Sequence, residues 1–253
     1  MTAGSRWLVL CCVFAVTGCA TPSKTALHES LARSPDKALP QKVLLLPVDI
    51  RLHEISTGGV VEQVDAWTKT ASSQATQCVR DEAASKHLFD IVESPALSAE
   101  DKATLDQYIA LYDNVAGSAY FASHSMHQAW TNRAKSFDYT LGPGLKELAA
   151  HTGVDAALIV SGSDYISSSG RRAAMVMGVL VGAAFGAVMV PSGGISFISV
   201  GIVDLRSGDL LWFGTDQSGG TDFRNEADIR KMLDGLFQTY PGLAPAPKTA
   251  NAK

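Results

Sequence analysis

The sequence predicts an α/β domain: a mixed β-sheet flanked by helices, with one Gly/Ala-rich hydrophobic helical insertion. Three observations carry this. Apolar runs of strand length recur at 42–50 (KVLLLPVDI) and 154–163 (VDAALIVSGS), as expected for strands buried on both faces. Between them, apolar residues return at three- and four-residue steps, the period of amphipathic helices. Near the C-terminus, two apolar runs flank Ser207-Gly208, the pattern of a β-hairpin.

In chain order, the first 18 residues carry a lone basic residue, Arg6, and then an uncharged run too short to span a bilayer. They end in Val16-Thr17-Gly18 before Cys19, where small residues give a peptidase access to the backbone. Residues 20–41 are rich in Ser, Thr, Pro, Lys and Ala. Such a segment buries little to offset its ordering entropy, and the expectation is a flexible tether.

Residues 42–50 form the first expected strand, with Pro47 confined to a strand end or an edge because it cannot donate to a ladder. After Gly58-Gly59, a long helix is expected over 60–87 from the spacing of Val60, Val64, Trp67, Ala71, Ala75, Cys78 and Val79. Residues 88–93 (LFDIVE) alternate as a strand. Ser98, followed by Glu100 and Asp101, caps a further helix whose apolar face is Leu105, Ile109, Tyr112 and Val115.

The stretch 120–139 is aromatic and polar and holds His124 and His127 at an i, i+3 spacing. No accompanying acid or cysteine set completes a metal site, so no metal is expected there. Gly142-Pro143-Gly144 breaks the chain before a short helix over 145–151 that Gly153 ends.

The unusual segment is 171–190, RRAAMVMGVLVGAAFGAVMV. Its uncharged part, 173–190, is about 27 Å long as a helix, near the hydrocarbon thickness of a bilayer. Gly178, Gly182 and Gly186 recur every fourth residue and so share one helical face, where a second backbone can come close. Three readings stand open: a helix that inserts in a membrane or self-associates, a helix buried on its own sheet, and a β-hairpin, the last disfavoured by the weak strand propensity of Ala and Gly. Residues 195–216 then form the hairpin, Asn225-Glu226 opens a last helix using Ile229, Met232, Leu233, Leu236 and Phe237, and the tail from Pro241 frays.

Composition narrows function. The 253 residues carry a net charge of −4, and loss of Arg6 with the leader makes it −5, too acidic to expect nucleic-acid binding. Of four cysteines, Cys11 and Cys12 leave with the leader and Cys19 lies at the cleavage point. Only Cys78 remains, expected as a buried small hydrophobe with no disulfide partner. There is no Gly-x-Ser-x-Gly elbow, phosphate-cradling loop or zincin helix, and hence no expected cofactor or catalytic set. Asp49, Asp155, Asp164 and Asp204 fall near strand ends, where acids cap turns.

Val16-Thr17-Gly18-Cys19 resembles the lipobox of bacterial lipoproteins. The resemblance implies that Cys19 becomes the first residue, carries a diacylglycerol on its sulfur and usually a third acyl chain on its amino group. Ala20, in place of an aspartate, resembles an outer-membrane address in a two-membrane bacterium. Two or three chains hold a protein almost permanently, since each buried methylene contributes about 0.8 kcal/mol. The segments VLLLPVDI, DAALIVSG and VDLRSGDLLWFG resemble periplasmic α/β lipoproteins related to the curli secretion-pore subunit and to the small domain of unknown function that accompanies it, which implies a helix-flanked sheet similar to the amino-terminal domain of the Tol translocation protein. That implies a periplasm-facing, non-catalytic assembly or recognition role, with a protein partner or a homo-oligomer. The 171–190 insertion departs from the polar loops of those proteins.

Overall fold

A computed structural model describes residues 24–34, 39–94, 96–124, 136–184 and 194–241. An eight-stranded mixed sheet lies between two helical layers. The strands are β1 (Lys24–Leu27), β2 (Lys42–Leu45), β3 (Asp49–Ile55), β4 (Val61–Gln63), β5 (Asp90–Glu93), β6 (Ala156–Ser167), β7 (Gly194–Asp204) and β8 (Leu210–Ser218). The helices are α1 (Glu29–Ala32), α2 (Asp65–Ser85), α3 (Ala99–His124), α4 (Lys146–Thr152), α5 (Ser169–Ala184) and α6 (Glu226–Phe237). The sheet runs β1-β8-β7-β6-β2-β5, and β3, carrying β4 on its outer side, pairs with the later part of β6.

Strand alternation explains the layers. Successive side chains point to opposite faces, so one face takes Val43, Leu45, Leu158 and Val160 under α2 and α6, while the other takes Leu44, Leu46, Ala157 and Ile159 under α3 and α4. Buried on both faces, β2 and β6 read as continuous apolar runs. Ala71, Ala75, Cys78 and Val79 bury the inner face of α2, at the expected spacing. Gly201 is a glycine inside a central strand because Tyr112 of α3 lies across it: a Cβ there would come within 2.6 Å of the Tyr112 ring. Asn225 accepts from the Ala227 N–H and caps α6, as the sequence implies.

Three expectations change. The segment expected as a tether contributes β1, paired antiparallel with β8, and α1. The 42–50 run is not one strand. It breaks around Pro47 into β2, which ends at Leu45, and β3, which continues to Ile55. The helix expected from Val60 starts at Asp65, because residues 61–63 return as β4 against β3.

Residues 169–184 are helical, as expected for the insertion, yet α5 is not buried on the sheet. Over 169–180, Ala173, Ala174, Val176, Met177, Gly178 and Leu180 are exposed, and Arg171, Met175 and Val179 are half-covered. Among the described residues no helix is long and apolar enough to cross a membrane.

Candidate functional site

Two surfaces hold groups that the core does not use: the α5 end of the sheet and a polar cavity beside it. The register locates the first. Ile55 of β3 lies beside Ser167 of β6, Ile166 beside Gly194 of β7, and Ser196 beside Ser218 of β8. The β3–β4 turn, the start of α5, the start of β7 and the end of β8 therefore share one end of the sheet. Ser168 N–H donates to Ile55 O at 2.9 Å and fixes the departure of α5 there.

Of the expected helix-contact residues, Gly178 is exposed, and a Cβ built on it meets nothing within 4 Å. Gly182 lies on α5, one turn further along. Gly186 and Cys19 lie outside the described residues, as does His127, three residues after His124 at the end of α3. Among the described residues no group of three or more His, Cys, Asp or Glu side chains could hold a metal. Cys78 is buried, and desolvation raises its thiol pKa, as suits a packing residue.

The cavity, about 360 Å³, opens where the α3 face of the sheet turns polar. Arg51 and His53 come from alternate positions of β3, Ser161, Ser163 and Tyr165 from alternate positions of β6, and Asp113 from α3. His53 stacks on Tyr165, ring centroids 4.8 Å apart and 11° from parallel. Arg51 pairs with Asp49 and, at 3.1 Å, with Asp113. Burial raises the Asp113 carboxyl above the usual carboxylate range, while Ser161 and Arg51 pull it back. His53 Nδ1 is buried without a hydrogen-bond partner among the described residues. With the guanidinium already shared by two carboxylates, the lining favours an uncharged, hydrogen-bonding ligand with one flat face.

The sequence reading reached none of these six residues. The available indication was the alternation D-I-R-L-H-E-I over 49–55, which sets Ile50 and Leu52 on one face and Arg51 and His53 on the other. The strand-end acids do not converge. Asp49 is level with Ser161, Asp164 with Ser196, and Asp204 with Ala156 at the far end of β6. Asp204 caps a turn through the Arg206 and Ser207 N–H groups, and Asp155 pairs with Arg206.

No family model and no curated protein matches the chain. Among solved structures it is similar to a PelC dodecamer from Paraburkholderia phytofirmans, at 14% identity and a TM-score of 0.35, over 86% of this chain and 96% of that one. A point variant of the same dodecamer matches at 15% identity and a TM-score of 0.34, over 86% and 97%. Likeness at this level leaves function to be argued from the residues.

Proposed function

We propose that the chain is a lipid-anchored envelope lipoprotein, held at the outer membrane through acyl chains on Cys19. Its domain faces the periplasm as a non-catalytic scaffold for assembly or recognition. The observation that carries this reading is α5, an apolar helix left exposed on a domain whose two sheet faces are closed by packed helices, in a chain whose residues 16–19 resemble a lipobox. Soluble monomers rarely expose contiguous apolar surface of this kind, and where they do it marks a contact with another protein or a membrane. The cavity beside α3, lined by Arg51, His53, Asp113, Ser161, Ser163 and Tyr165, adds a place for recognition.

A second reading, favoured by the open space at Gly178, is self-association through the face shared by Gly178, Gly182 and Gly186. Both readings begin at Cys19. Serine has no thiol to accept a diacylglycerol, so Cys19→Ser is expected to abolish acylation and leave uncleaved precursor in the inner membrane. Metabolic labelling with palmitate and membrane fractionation check this. Retained label with outer-membrane fractionation in the variant would remove the lipoprotein reading.

A further inference from the structure

We infer that the α5 end of the sheet rests on the lipid bilayer, with the bulky side of α5 lying in the interface. This rests on the reading that Cys19 is acylated, and the geometry then specifies which end of the domain the anchor holds to the membrane.

The first observation is the direction of β1. Lys24 lies beside Thr215 and Leu27 beside Trp212, so the N-terminal end of β1 faces toward Ser218, the end of the sheet where α5 departs. Four residues lie between Cys19 and Lys24, and the five steps that join them span at most roughly 18 Å. The level of Lys24 is four residues short of Ile195, about 13 Å at strand rise. An anchor on so short a lead cannot hold the opposite end, at Ser207, against the same surface.

The second observation is independent. Among the described residues eight large hydrophobic side chains are exposed, and seven gather at this end. Val60 ends the β3–β4 turn and Val61 opens β4, Ile195 is the second residue of β7, and Val176, Met177 and Leu180 stand on α5. Phe121, 71% exposed, follows Tyr120, whose ring lies 5.2 Å from Phe197 near the start of β7. They extend across the sheet from β7 to β4, on the far side of β8 from the strand that the anchor precedes. The domain therefore meets the surface at several separated points rather than swinging from one.

Lipid is the occupant that fits both observations. At 16 residues, α5 is about 24 Å long, and it is suited to lying in the plane of the interface, not to spanning. Val176, Met177 and Leu180 cluster on one side, roughly opposite the side that Gly178 and Gly182 share at 100° per residue. Lipid contact and a glycine-face contact thus use different surfaces of one helix. Charges at this end are mixed, with Arg171 and Arg172 against Glu62 and Asp222, so attachment is apolar and insensitive to salt.

The test uses the full lipidated chain reconstituted into phosphatidylethanolamine–phosphatidylglycerol vesicles. Single cysteines at Val61, Met177, Leu180 and, as the distal control, Ser207 carry an environment-sensitive fluorophore, while Cys78 stays unreactive because it is buried. A shallow doxyl-lipid quencher is expected to quench the labels at Val61, Met177 and Leu180 about threefold or more above Ser207, in low and in half-molar salt alike. Equal quenching at all four sites of a chain shown by mass to be acylated overturns the inference and leaves the anchor standing. Disulfide cross-linking between copies at Met177→Cys without lipid quenching assigns the surface to a second copy and also overturns it. A chain without acyl mass removes the anchor and the inference together.

Discussion

Asp164 is an acid in a place built for a neutral group. It is 1% exposed, and its two carboxylate oxygens accept from Ser196 Oγ at 2.9 Å and from Phe223 N–H at 2.8 Å, tying the 219–225 loop to the middle of the sheet. Burial is the main cause of its raised pKa, and these two hydrogen bonds offset part of it. Because the folded pKa lies above the unfolded one, the folded chain holds the proton longer. Asp164's contribution to stability is therefore full below the unfolded value and declines as pH rises through the window up to the folded value. Asparagine can keep the geometry, its oxygen accepting from Phe223 and its amide donating to Ser196 Oγ, which in turn donates to Thr221 O. Asp164→Asn should therefore flatten this share of the pH dependence. Urea midpoints of both chains, measured upward from the ordinary aspartate range, are expected to diverge in the variant's favour as pH rises. Asp113, raised in the same direction, is present in both chains and cancels in the difference. A constant gap between the two curves would mean that Asp164 does not titrate in that window.

At the scale of elements, the β7–β8 hairpin is the firmest agreement between sequence and structure, and it has a partner the sequence did not reveal. Gly208 sits at φ +80°, and a Cβ there would lie 2.0 Å from the carbonyl oxygen of Gly142, while Gly208 O accepts from Leu141 N–H at 2.8 Å. Two turns from distant parts of the chain are stacked backbone on backbone. Gly208→Val is expected to cost about 2 kcal/mol or more, from the left-handed conformation and from parting the turns, read as a lower denaturant midpoint. An unchanged midpoint would mean the turns do not touch. Buried strands such as β2, β6 and β7 were legible because burial on both faces leaves long apolar runs, and α2 and α6 because one buried face imposes its period. The edges were not. β1 is four residues of mixed polarity, β4 is three exposed residues, and β3 alternates between a core face and a polar cavity. Edge strands are specified by pairing, which composition does not record. The cavity was hidden for the same reason: Arg51, Ser161 and Asp113 meet only through β3–β6 pairing and the docking of α3, and in sequence each is an ordinary polar residue.

For the whole molecule, the question is whether α5 belongs to the fold or is carried by it. β6 and β7 are antiparallel neighbours, with Ile166 beside Gly194, so the chain needs only a tight turn to pass from one to the other. The protein instead places α5 in that connection and leaves most of its described side chains exposed. An element whose apolar atoms stay in contact with solvent contributes little burial to folding, since stabilisation follows the area removed from water. Replacing residues 168–192 with an Asn-Gly turn, the pair favoured by two-residue hairpins, should therefore leave the domain folded, with its unfolding free energy within about 1 kcal/mol of the parent. Both core layers should survive, because Trp212, Phe237, Tyr112 and Leu145 are buried by the sheet and by α2, α3, α4 and α6. The decisive comparison is made on the lipidated chain. The variant should keep its cooperative unfolding and its acyl anchor while losing close seating on vesicles, and any cross-linked ladder built through Gly178 should disappear with the helix. Aggregation of the variant, or loss of its cooperative transition, would instead make α5 part of the core and return this segment to the helix packed on its own sheet.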